Sequence, residues 1–188
     1  MRMFFMSLFL GLGLASLAPA TAGPLEDGIA AYQAGDAEAR RIFEQDAFNQ
    51  VILGVMYENG KGVPQDYAEA VRWYRLAAEQ GNALGQGKLG NMYFGGLGVP
   101  QDYVEAVKWY RLVAEQGNAD AQFTLGLMYE NGWGVPQDYV LAHMWFNLAA
   151  AQGDATAVAN RDIAAKKMTP AQIAEAQQLA REWKAAHP

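Results

Sequence analysis

Three near-copies of one 36-residue passage fill the middle of this chain. The first reads LGVMYENGKGVPQDYAEAVRWYRLAAEQGNA from Leu53 to Ala83. The second reads LGNMYFGGLGVPQDYVEAVKWYRLVAEQGNA from Leu89 to Ala119, and the third LGLMYENGWGVPQDYVLAHMWFNLAAAQGDA from Leu125 to Ala155. A fixed period of this size belongs to stacked units, each burying its apolar face against the next, and not to a globule around one centre. The expected architecture is an all-α solenoid. Such an array presents a surface more readily than a catalytic pocket.

Each passage holds two helical segments. In the first, Gln50 to Tyr57 is apolar at 51, 52, 53, 55, 56 and 57, with Gly54 on one face. Asn59-Gly60 and Gly62 end that helix, since glycine reaches left-handed backbone without strain. Asp66, with Glu69 three residues on, reads as an acidic capping box, and Asp102 with Glu105 repeats it. The second helix runs to about Gln80 and stops at Gly81. Its face carries Ala70, Trp73, Tyr74, Ala77 and Ala78 at helical spacing. Gly54, Gly90 and Gly126 recur in mid-helix, where glycine costs about 1 kcal/mol against alanine. Their repetition predicts a backbone or ring packed close to each. Ala70, Ala106 and Ala142 suit the same purpose. Trp73, Trp109 and Trp145 are expected in the core, as the large halves of small–large pairs.

The pattern LGxMYxxGxGVPQDYxxAxxWYxxAAEQGxA resembles the Sel-like repeat family, a branch of the tetratricopeptide repeat superfamily. The match is close over Leu53 to Ala155 and weaker outside it. The resemblance implies a right-handed α-solenoid of helix-turn-helix repeats, with the first helix of each unit lining the concave side. It also implies an adaptor that holds proteins together. Exported bacterial members of the family point to envelope or host-interaction roles.

The units are expected at 51–86, 87–122 and 123–158, with a degenerate repeat at 23–50 and a C-terminal cap at 159–188. In the degenerate unit Phe43 takes the place of Tyr74. It lies five residues closer to the following glycine, so its helices are expected to be fused or shifted. The second repeat has Gly85 and Gly87 where the third has Ala121 and Phe123, which predicts open space on the concave face. The third repeat loses charge: Leu141 replaces Glu69 and Glu105, Met144 replaces Arg72 and Lys108, and Asn147 replaces Arg75 and Arg111. The tail is expected to cover this surface. Thr169 with Pro170 starts a helix, and Ile173, Ala176, Ala180 and Trp183 form its apolar stripe. The same residues would also serve as a homodimer surface.

Residues 1–22 read as a secretory signal. Arg2 supplies the positive start, Met3 to Leu17 the apolar stretch, and Ala20-Thr21-Ala22 the favoured cleavage pattern over Ala18-Pro19-Ala20. The run is short for a bilayer span and is broken by Gly11 and Gly13. The destination expected is periplasmic or secreted, with no integral membrane segment after cleavage. The chain has 14 basic and 20 acidic residues and a formal net charge of −6. That balance disfavours nucleic acid as a partner. Without cysteine, neither a disulfide nor an N-terminal lipid-bearing cysteine supports the protein.

Chemistry is hard to find. Serine occurs only at 7 and 16, inside the leader, so the mature chain has neither common acyl-transfer nucleophile. His143 replaces Val71 and Val107 on a helix, and His187 is next to the end. Two separated histidines make no usual metal site, and His143 reads as a packing residue. Gly95 to Gly98 is a repeat turn without a preceding strand, not a phosphate loop. No catalytic residue, cofactor or metal is expected. Two functions remain: a non-enzymatic protein–protein interaction scaffold of the cell envelope, and a glycan or peptidoglycan-fragment binder with a hydrolytic role.

Ligands of the superfamily lie against the first helices, on either side of the Leu-Gly pair. Carried onto this chain, that implies a concave face of Glu58, Lys88, Asn91, Phe94, Phe123 and Glu130, binding a protein or an extended peptide. The room left by Gly85 and Gly87 puts its centre beside Lys88 and Asn91, and the two glutamates favour a basic or amide-rich partner. Trp133 holds the turn position of Lys61 and Leu97, has no evident core role, and marks an alternative edge.

Overall fold

The structure, a computed structural model, describes residues 24–187. The expected leader lies outside the described residues. Those residues form ten α-helices and no strand, in two compact units divided between Asp46 and Ala47. The first unit holds α1 (Pro24–Gln33) and α2 (Ala37–Gln45). They are separate helices and not one fused helix. Gly35 turns the chain at φ +86°, and Asp36 caps α2 by accepting from the Ala39 N–H at 2.8 Å. Phe43 is buried, and its ring packs 5.5 Å from that of Tyr32.

The second unit is a helical repeat solenoid. Its pairs are α3 (Ala47–Asn59) with α4 (Tyr67–Glu79), α5 (Ala83–Gly95) with α6 (Tyr103–Glu115), and α7 (Ala119–Asn131) with α8 (Tyr139–Ala150). The tail adds α9 (Ala155–Ala165) and α10 (Pro170–Ala186). From α3 to α9 each helix packs on the next, α3 also meets α5, and α10 folds back on α8. The first helices start earlier than their apolar positions suggest. Asn82 and Asn118 cap α5 and α7, accepting from the Gly85 and Ala121 N–H groups at 2.9 Å each.

Asp66, Asp102 and Asp138 cap α4, α6 and α8. The reciprocal half of the expected capping box does not form. The Asp66 and Asp102 N–H groups already donate to the Tyr57 and Tyr93 carbonyls at 2.9 Å. Glu69 is therefore free to pair with Arg72 at 3.0 Å, and Glu105 pairs with Lys108. The turn before each cap is held by glutamine. The Gln65, Gln101 and Gln137 amides donate to the carbonyls of Glu58, Phe94 and Glu130 at 2.8, 2.8 and 2.7 Å.

The mid-helix glycines face rings, as their repetition suggests, but the rings are not the tryptophans. A Cβ on Gly54 or Gly126 would lie 2.5 Å from Cδ1 of Tyr74 or Phe146, and on Gly90 3.1 Å from Tyr110. Each ring comes from the second helix of the same repeat. Trp73 and Trp145 are also buried, one position away, and Trp109 is half-buried. Ala70, Ala106 and Ala142 are fully buried.

Two polar ladders run along the repeats. Gln80, Gln116 and Gln152 donate to the side-chain oxygens of Gln50, Gln86 and Gln122 at 2.9, 2.8 and 2.9 Å. Gln86 and Gln122 in turn donate to the Ala78 and Ala114 carbonyls at 3.2 Å each. The buried Gln86 and Gln122 side chains are thus satisfied on one side by the exposed Gln116 and Gln152 amides and on the other by carbonyls at a helix C-terminus, which accept. Arg75 and Arg111 reach across to the Tyr93 and Tyr129 hydroxyls of the next repeat, at 2.6 and 2.8 Å.

The tail covers the second helix of the third repeat, which carries no Asp, Glu, Lys or Arg. Thr169 caps α10 in a full capping box with Gln172. Ala176 and Ala180 are buried, and Leu179 and Trp183 pack against the core that holds Trp145 and Met144. Trp183 meets Trp145 edge to face, ring centres 6.0 Å apart.

Candidate partner-binding surface

The exposed residues of the first helices differ between repeats on a nearly constant frame. Glu58 and Lys88 meet: the Lys88 ammonium lies 2.9 Å from Glu58 Oε2, which also accepts from the Tyr74 hydroxyl. Burial, then the Glu58 carboxylate, pushes the Tyr74 phenol well above its ordinary pKa. Glu130 pairs with Lys167 of the tail at 3.2 Å. That bond is the main cause of the raised Lys167 pKa, and the ammonium sits 4.8 Å over the Tyr139 ring. Neither glutamate presents an unpaired charge, so the reason for expecting a basic partner disappears.

Phe94 and Trp133 do not mark separate surfaces. Their rings are 5.6 Å apart, and both pack on Tyr103, at 5.1 Å from Phe94 and 6.1 Å from Trp133. Trp133 remains 36% exposed, but one face of its indole stacks on Tyr103, so it has a packing role after all. Phe123 is half-buried and packs against Phe146 at 5.6 Å.

Lys88 and Asn91 line one cleft of about 390 Å³ between α5 and α7, with α6 behind it. Ala83, Leu84, Tyr110, Val113 and Ala121 make its apolar part, and Asn118, Asp120 and Thr124 stand on the far side. Leu84 is 54% exposed. Asn91 Oδ1 accepts from the Tyr110 hydroxyl at 2.6 Å, which leaves the Nδ2 hydrogens without a partner among the described residues. Burial pushes the Tyr110 phenol up to about 12, so it stays a donor at neutral pH. The two glycines differ. Gly87 opens on the cleft, with none of the described residues within 4 Å of a Cβ placed on it, whereas Gly85 is buried with its Cβ position 2.7 Å from Ala77 Cβ. Gly85 thus serves close packing and not space.

Leu84, Tyr110, Val113, Asp120 and Thr124 were not expected in the site. Leu84 carried a usable signal, because the same position is Phe48 in α3 and Asp120 in α7. A second cleft, of about 430 Å³, lies where Gln116, Gln122 and Gln152 meet Trp183 and His187. The His187 ring already stacks on Trp183 at 4.2 Å, so that indole face is covered. His143 is 3% exposed, and its Nδ1 has no partner among the described residues. Burial, then Arg161, lowers its pKa. It is a packing residue of α8.

The Sel1 repeat model matches residues 50–82, 83–118 and 119–154. A Sel1 repeat protein from Oxalobacter formigenes is 36% identical, with a TM-score of 0.63, over 73% of this chain and 59% of that one. The protective antigen c5321 of uropathogenic Escherichia coli strains, which displays an SLR fold, is 27% identical with a TM-score of 0.63. That likeness covers 89% of this chain and 42% of the antigen. This chain therefore spans less than two thirds of either protein's length. No curated protein matches it. Three matched units, each built as a glycine-bearing first helix under a ring of the second, make this chain a member of the Sel1 repeat family.

Proposed function

We propose that this protein is a non-enzymatic adaptor of the bacterial envelope, exported to the periplasm or beyond, that binds an extended segment of a partner protein on the face of its first helices. Sel1 repeat proteins are generally protein-interaction scaffolds. The observation that carries the reading is the cleft of the middle repeat, where Leu84 and the unpartnered Asn91 amide stand exposed beside Gly87. The Arg2 to Ala22 leader supports export.

The binding test replaces Leu84 with glutamate and Asn91 with alanine together. Both side chains are exposed, so the melting curve should not move while capture of a partner from envelope extract falls. Capture that survives this change and falls on Trp133→Ala would move the working surface to the aromatic turn edge. N-terminal sequencing of protein from its native host should begin near Gly23. A mature cytoplasmic protein that keeps Met1 would refute export.

A further inference from the structure

One position of the first helix is filled by the protein itself in the first and third repeats and left empty in the middle one. In the first repeat it is Val51, which is buried in the cluster that holds Tyr74. In the third it is Phe123, packed on Phe146 with ring centres 5.6 Å apart. In the middle repeat it is Gly87, and none of the described residues stands within 4 Å of where its Cβ would be. The ring behind each position shows the difference. Tyr74 and Phe146 are 0% exposed, and Tyr110 is 7% exposed. The space left over is the 390 Å³ cleft, walled by Leu84, Tyr110, Val113 and Ala121.

We infer that this vacancy is an anchor pocket for one apolar side chain of the bound segment, of valine to phenylalanine size, which completes the middle repeat as Val51 and Phe123 complete its neighbours. The inference rests on the adaptor reading and names what that surface selects. The occupant's chemistry follows from the siblings: the same frame accepts an aliphatic side chain in one copy and an aromatic one in the other. Its backbone has a natural handle as well. The Tyr110 hydroxyl holds Asn91 Oδ1, so Nδ2 is left to donate to a carbonyl of the incoming segment. Lys88 cannot draw an acidic segment strongly, because Glu58 already neutralises it at 2.9 Å. Selection here is by shape and apolarity, within the volume range usual for small binding clefts.

The test fills the pocket from inside. Wild type, Gly87→Phe and Gly87→Val are each panned against a random linear peptide library displayed on phage, and recovered peptides are resynthesised for titration. Wild type should enrich peptides with a shared phenylalanine, leucine or valine. Replacing that residue by glycine in the peptide should weaken binding at least tenfold. Gly87→Phe, which copies Phe123, should lose the same peptides at least tenfold and melt no lower than wild type. Gly87→Val, which copies Val51, repeats the comparison should the larger side chain fail to fold. Peptides that bind wild type and both variants equally would overturn the anchor and leave the adaptor reading standing. No enrichment by wild type would overturn both.

Discussion

A methyl group added at Gly126 meets a ring, and the same group added at Gly87 meets nothing. Both glycines lie inside helices of the array, so both alanine variants gain the same helix propensity, about 1 kcal/mol. At Gly126 the new Cβ would fall 2.5 Å from Phe146 Cδ1, against about 3.5–4.0 Å for a favourable carbon contact. The helices must part, or Phe146 must move, by about 1 Å. Phe146 is 0% exposed and hemmed in by the core of the third repeat, so it has nowhere to go. Overpacking of this kind costs about 1–3 kcal/mol. Gly87→Ala should therefore be stabilised by about 0.5–1 kcal/mol, and Gly126→Ala should be neutral to about 2 kcal/mol less stable than wild type. Their difference isolates the steric cost, because the propensity gain cancels. Gly90→Ala should fall between them, since its Cβ would stand 3.1 Å from Tyr110. Urea unfolding followed by circular dichroism measures all three, and unchanged slopes would show that the unfolding unit has not changed. Equal midpoints for Gly87→Ala and Gly126→Ala would refute the idea that a ring fixes glycine at the latter.

Gln122→Ala removes a ladder rung with two hydrogen bonds, to the Ala114 carbonyl and from Gln152, which keep their bonds to the Gly117 N–H and the Gly117 carbonyl. At about 0.5–1.5 kcal/mol each, a loss of about 1–3 kcal/mol is expected in the same assay. The lowered pKa of His143 means that the unfolded chain takes up its proton first. Stability should then fall as pH drops below about 6.5, the ordinary histidine value, and His143→Val should flatten that slope in melting curves taken between pH 5 and 7.5. Truncation after Lys167 strips α10 from Trp145 and Met144, and should cause aggregation or a clear fall in melting temperature. An unchanged, monomeric truncated protein would show that α10 is no cap.

The repeat frame was legible because its residues recur. A glycine kept three times in mid-helix has few explanations besides a close neighbour. Which ring it meets was harder, since Trp73 and Tyr74 differ by one residue and both point inward. The glutamine ladder is hidden because Gln80 and Gln116 close their helices, where amides usually face water, although their partners recur as faithfully as the glycines. The candidate surface was legible only as variation. Lys88 and Asn91 share a cleft, but the Glu58–Lys88 and Glu130–Lys167 pairs join residues 30 and 37 positions apart, which only the stacking of helices brings together. Asp46 shows a different limit. It is a single extended residue at the end of α2, and no periodicity marks it.

The ladders also constrain how such a chain can lengthen. Each glutamine pair is made within a repeat, while each arginine–tyrosine bond spans the seam to the next. A duplicate of residues 83–118 spliced in after Asn118 would keep both kinds of bond, with the first Arg111 meeting the new Tyr93 and the new Arg111 meeting Tyr129. The same duplicate spliced in after Asp154 would not. Asn147 stands there in place of the arginine, and α9 and α10 already lie against α8. Gene duplication can therefore add units to this protein at its interior seams, while its tail closes the C-terminal side to growth.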